Sequence, residues 1–182
     1  MWNDSAMTTR VGFLRAVNVG KRTVRMVKLI EVCEGLGFDN VWTFINSGNV
    51  VFEAAGGRAA TEQSMETALE AEFGFECTTF VRTAAELRAA LAIEPFSLAA
   101  GDTYFITFLK APPSAEVAKA LHAASNDFDT LEVHGRDVHW RMRGKSTDTK
   151  VKPATWKQLG PNSSTSRSVN MLRKLSAKLD AG

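Results

Sequence analysis

The chain has 182 residues, 45% hydrophobic and 23% charged, enough apolar surface for a real core in one domain or two small ones. No apolar run approaches the roughly 18 residues of a spanning helix, residues 1–10 hold no secretory core, and Cys33 and Cys77 offer neither a disulfide framework nor a Cys-x-x-Cys motif, so a cytoplasmic protein without a membrane partner is expected. The formal net charge of +2 conceals a net of −6 over residues 1–133 and +8 over residues 134–182, which suggests either an anionic partner or a basic segment packed on the acidic part of the same chain.

In chain order, residues 9–17 read as a strand that runs into a basic turn, Arg15-Ala16-Val17-Asn18-Val19-Gly20-Lys21-Arg22. Thr23 is placed to N-cap a helix over residues 24–36. Its apolar face is Met26, Leu29, Ile30, Cys33 and Leu36, and Gly35 and Gly37 end it. Residues 41–45 and 50–52 are strands joined across Asn46-Ser47-Gly48-Asn49, with Gly48 expected at positive φ. A helix over residues 61–73 turns Met65, Ala68, Leu69 and Phe73 inward and leaves Glu62, Glu66, Glu70 and Glu72 mostly in water. With a strand over residues 77–82, the order is βαββαβ, a ferredoxin-like half covering residues 1–82.

Thr83 and Glu86 fit a capping box for the next helix. A strand over residues 103–109, a helix opened by Pro112-Pro113-Ser114, and a hairpin around His134-Gly135-Arg136 follow. Residues 83–142 thus form a second α+β half, an incomplete echo of the first. Residues 143–182 are a basic extension: a short helix over residues 153–159, a loop over residues 162–166 and a last helix over residues 168–179 that packs back on the body.

The block at residues 15–21 is similar to an Arg-Gly-(Ile/Val)-Asn-Val-Gly-Gly signature. With Thr43-Phe44-Ile45-Asn46-Ser47-Gly48-Asn49-Val50-Val51-Phe52 and Thr165-Ser166-Arg167-Ser168, it resembles the bacterial family called domain of unknown function 1697. The resemblance implies an α+β protein of two ferredoxin-like halves and brings no established activity. Ala16 stands where that family usually has Gly, and Ser168 where it usually has Asn.

The turn sets Arg15, Asn18 and Lys21 ahead of a helix N-terminus, a combination suited to an anion. It is neither a Walker loop nor a Gly-x-Gly-x-x-Gly fingerprint. Arg167, where the last helix begins, adds a second cation, and the turn and Arg167 are expected to face one cleft. Asn49 is a candidate orienting group. No catalytic residue is assigned: Gly-x-Ser-x-Gly is absent, and Ser47 has no histidine assignable as its base. His122, His134 and His139 are not at ligand spacing, so structural or surface roles, and no metal or cofactor, are expected. The expected function is binding of an anionic ligand, a phosphorylated small molecule or nucleotide, by a monomer or small homo-oligomer through Arg15, Asn18, Lys21, Asn49 and Arg167. Alternatives are an enzyme acting on a phosphorylated or carboxylated metabolite at that site, a non-specific nucleic-acid binder, and a protein held by protein–protein contacts. Nucleic acid is the less favoured partner, because the hairpin block lacks the paired aromatics of an RNA-binding sheet.

Overall fold

The computed structural model describes residues 6–45 and 48–182, so Asn46 and Ser47 of the expected hairpin turn, and with them any role for Ser47, lie outside the described residues. The chain divides into two compact units, Met1–Leu87 and Arg88–Gly182. Among the described residues no helix is long and apolar enough to cross a membrane.

The first unit runs β1 (Thr8–Leu14), α1 (Met26–Gly35), β2 (Asp39–Thr43), β3 (Asn49–Ala54), α2 (Arg58–Phe73) and β4 (Thr79–Thr83). Its four strands form an antiparallel sheet in the order β2-β3-β1-β4, the ferredoxin-like arrangement. Alternation along the strands puts Leu14, Val50, Phe52, Ala54 and Val81 on the face beneath the two helices, where they meet Leu29 and Cys33 of α1 and Met65 and Leu69 of α2. Gly12 lies mid-strand on that face. A Cβ there would come within 3.1 Å of Val50 and 3.2 Å of Met65, so the missing side chain lets α2 approach β1 closely.

Two local expectations are corrected. Thr23 does not cap α1; the N-cap position is Arg25, extended and with no side-chain cap bond. The cause lies upstream: the Asn18 side chain accepts from the Val24 N–H, which keeps residues 23–25 in the turn. Glu62 is not in water either. It is buried, paired with Arg58 at 2.9 Å, and its Oε1 accepts from the Val81 N–H at 3.1 Å, while Glu66 Oε1 accepts from the Thr79 N–H at 3.0 Å. Glu70 and Glu72 remain exposed.

The boundary between the units falls inside α3 (Ala84–Ile93), whose start is held by the reciprocal Thr83–Glu86 capping box, with bonds of 2.8 and 3.0 Å. The second unit continues with β5 (Thr103–Leu109), α4 (Ala115–Ala123), β6 (Asp129–His134), β7 (Asp137–Met142), a 3-10 turn at Ser146–Asp148, α5 (Pro153–Lys157), β8 (Ser164–Ser168) and α6 (Val169–Ala181). Its strand order, β6-β7-β5-β8, repeats that of the first sheet position for position. The segment expected as a loop over residues 162–166 is instead largely β8, which pairs antiparallel with β5 and gives this half its fourth strand. The run Ser-Thr-Ser-Arg-Ser looks polar throughout, but hydroxyl side chains suit an edge strand when the neighbour supplies the apolar bulk.

Asp129 ties the basic segment to this sheet. It is fully buried at the start of β6 and accepts from Trp140 Nε1 at 2.9 Å, Thr149 Oγ1 at 2.6 Å, the Lys150 N–H at 2.8 Å and Asn126 Nδ2 at 3.1 Å.

Candidate functional site

The two sequence blocks of the first unit, around Arg15 and around Gly48, meet at the end of β1. The Leu14 N–H donates to the Gly48 carbonyl and the Arg15 N–H to the Thr78 carbonyl, both at 2.9 Å. Gly48 has φ 73° and lies so close that a Cβ there would come within 2.6 Å of Val17 Cγ2. Val17 and Val24 anchor the turn in the core, and Asn18 through Thr23 are exposed.

Inside the turn the backbone winds tightly. Ala16, Asn18 and Gly20 have φ of 52°, 59° and 59°, each separated by a residue of negative φ. Alternating φ sign is one ingredient of the backbone nests that take anions. Asn18 holds the turn closed: its N–H donates to the Arg22 carbonyl at 2.6 Å and its Oδ1 accepts from the Val24 N–H at 3.0 Å. The Arg22 N–H returns to the Val19 carbonyl at 3.1 Å. At the tip, the N–H groups of Gly20 and Lys21 have no acceptor among the described residues. Lys21 points into solvent, the Arg22 guanidinium lies 5.9 Å from the centre of the Phe75 ring, and Arg15 is half-buried.

Ala16 lies in the left-handed region, where the glycine of the resembled pattern would be unstrained. An alanine there carries a strain of about 1–2 kcal/mol that glycine avoids. Part of the gain from glycine is offset by its larger unfolded-state entropy. Ala16→Gly is therefore expected to stabilise the first unit by roughly 0.5–1 kcal/mol. A urea melt of the variant that moves to a lower midpoint would contradict this.

The remaining candidate residues are placed differently. Asn49 is fully buried, opposite Phe13 in the sheet register, and its side-chain amide donates to the Phe44 carbonyl at 3.0 Å while its backbone carbonyl accepts from the Phe44 N–H. It closes the hairpin from inside. Arg167 belongs to the second unit, on β8 opposite Ile106. It donates to Thr165 Oγ1 at 2.8 Å and the Ser166 carbonyl at 3.0 Å, and burial pushes its pKa down to about 10. Ser168, the second departure from the resembled pattern, is the N-cap of α6 and accepts from the Met171 N–H. Asparagine caps equally well, so the exchange preserves the helix start.

Both cysteines are buried, and burial raises their thiols to about 12 for Cys33 and about 11 for Cys77, which makes them packing residues rather than nucleophiles. Among the described residues no group of three or more His, Cys, Asp or Glu could hold a metal ion. One polar centre escaped the sequence reading. Of the structural or surface roles expected for the histidines, His139 takes the buried one, and its Nδ1 lies 2.5 Å from the Tyr104 hydroxyl. A visible signal was the alternation of Asp137, His139 and Arg141 with Val138, Trp140 and Met142 along β7, which puts three polar side chains on one face.

A family model described as protein of unknown function (DUF1697) matches residues 7–139, a span that takes in the turn, the hairpin and His139 but stops short of Arg167. No curated protein matches the chain. Among solved structures, the chain is similar to the conserved bacterial protein SP0830 from Streptococcus pneumoniae, with 21% sequence identity and a TM-score of 0.75 over 96% of this chain and 99% of that one. At that identity the likeness carries the fold.

Proposed function

The chain belongs to the family described as protein of unknown function (DUF1697), so its activity has to be read from its own side chains, and we propose that the turn at residues 15–22 binds an anionic small molecule, a phosphorylated metabolite or nucleotide. The carrying observation is the turn's tip: alternating φ at Ala16, Asn18 and Gly20, with the N–H groups of Gly20 and Lys21 without an acceptor among the described residues. Backbone N–H groups supply fixed partial charge, and Lys21, Arg22 and Arg15 supply full charge on the same short segment. Asn18 acts through the backbone by bracing the loop, which keeps the N–H groups oriented before a ligand arrives. The buried, unpaired thiols of Cys33 and Cys77 fit a reducing compartment, and we place the protein in the cytoplasm on that ground.

Calorimetric titration with inorganic pyrophosphate and with a nucleoside triphosphate tests the reading. Saturable binding is expected, with a modest salt slope. Lys21→Ala should weaken it by about 1.5–3 kcal/mol, the range for hydrogen bonds to charged groups. A steep loss of affinity with salt for any polyanion would instead favour non-specific nucleic-acid contact. Unchanged affinity in Lys21→Ala would remove the turn from the site.

A further inference from the structure

The second sheet carries a polar row of its own. On β7, Val138, Trp140 and Met142 enter the core beneath α4 and α5, so His139 and Arg141 project from the opposite face. In register beside them on that face stand Ile106 and Tyr104 of β5, and Glu132 and Thr130 of β6. His139 is fully buried, Tyr104 meets its Nδ1, and its Nε2 is buried without a hydrogen-bond partner among the described residues. Arg141 repeats the pattern. Its Nη2 donates to Thr130 Oγ1 at 2.5 Å, its guanidinium lies 5.8 Å from the centre of the Phe96 ring, and its Nε is buried without a partner.

A buried N–H left unmatched costs the full desolvation of that group, and more so on a cation. Two such groups, two residues apart on one strand, project from the same face of the sheet. Tyr104 keeps its proton, since burial pushes its pKa up to about 12, and burial together with the neighbouring His134 holds His139 neutral, at about 4. A Tyr104 hydroxyl donating to Nδ1 leaves the single imidazole proton on Nε2, which makes Nε2–H a donor. Glu132, in register beside His139, is bonded through its Oε1 to His134 Nε2 at 2.6 Å, and these two side chains are 38% and 33% exposed.

We propose that this face of the second sheet binds a single oxyanion group, the carboxylate or phosphate of a small molecule, which accepts from His139 Nε2–H and Arg141 Nε–H. Thr130 and the Phe96 ring hold the guanidinium so that its Nε edge faces the ligand, and in this arrangement the Tyr104 hydroxyl is the donor to His139 Nδ1.

The test is a proton–nitrogen NMR titration of the uniformly labelled protein at pH 7 and constant ionic strength, with acetate in one arm and inorganic phosphate in the other. The His139 Nε2–H and Arg141 Nε–H signals are expected to move together and saturate with one apparent Kd in at least one arm. Arg141→Lys keeps the charge but removes the planar Nε–H donor, and should weaken that binding about tenfold or more. Either of two wild-type results overturns the proposal: signals that stay fixed in both arms, as they would with bound water alone, or an imidazole protonated on Nδ1. Equal affinity in Arg141→Lys does so as well. The wild-type titration decides even if the variant does not fold, and because the signals are residue-specific, binding at the first unit's turn cannot substitute for it.

Discussion

Gly48→Val is expected to destabilise the first unit by more than about 3 kcal/mol, the sum of backbone strain and overpacking. Gly48 has φ 73°, a region that a β-branched residue occupies only as an outlier. The new Cβ alone would stand 2.6 Å from Val17 Cγ2 and 3.1 Å from Leu14 Cβ. Neither neighbour can withdraw easily, because Leu14 and Val17 are both buried and the Leu14 N–H is bonded to the Gly48 carbonyl. Urea melts measure the effect. Gly48→Ala with and without Val17→Ala separates its causes, since removing the Val17 methyls relieves the clash and leaves the φ strain. A Gly48→Val midpoint within about 1 kcal/mol of wild type would mean that the hairpin and turn shift apart freely.

Asp129→Ala is expected to cost about 3–5 kcal/mol, the range for removing one partner of a buried charged network. The loss strands the Trp140 indole N–H, the Thr149 hydroxyl and the Lys150 N–H, all of which donate to Asp129. Burial by itself would raise the Asp129 pKa, but bonds from Thr149, Lys150, Trp140 and Asn126 outweigh it and hold the carboxyl below its ordinary value. With the folded pKa below the unfolded one, its contribution is present above about pH 4 and is lost as pH falls through the folded pKa. Asp129→Asn should therefore show a flatter acid limb than wild type in melts between about pH 2 and 7. Parallel acid limbs would show that Asp129 does not titrate with folding.

Where the sequence was informative, short-range physics decided the outcome. The spacing of Leu29 and Cys33 marked the buried side of α1, and Thr83 with Glu86 marked the start of α3, because each signal lies within a turn or two of helix. What stayed hidden was long-range. Glu62 looks like one of several solvated glutamates until the Val81 N–H, 19 residues on, becomes its donor. Asp129 looks like a strand-end carboxylate until Lys150 arrives from 21 residues away. β8 has no apolar alternation, since its bulk comes from β5. At the candidate site the charges of Arg15 and Lys21 were legible as a basic turn. The alternating φ values that organise it were not, because nothing in the chain announces a left-handed alanine at position 16. For Asn49 a polar side chain was visible, and its inward direction was not.

The bonds from Glu62 and Glu66 to β4 have a consequence beyond local packing. β4 is the outermost strand on its side of the first sheet, and the Thr79 and Val81 N–H groups are those that point away from β1. An arriving strand from a second molecule would need these two donors to extend the sheet. Both already terminate on carboxylates that the adjoining helix holds in place. An intermolecular ladder, the first step of fibril growth, would find two of its donors along this margin already bonded, and the growing polymer is hindered by two side chains rather than by an extra strand.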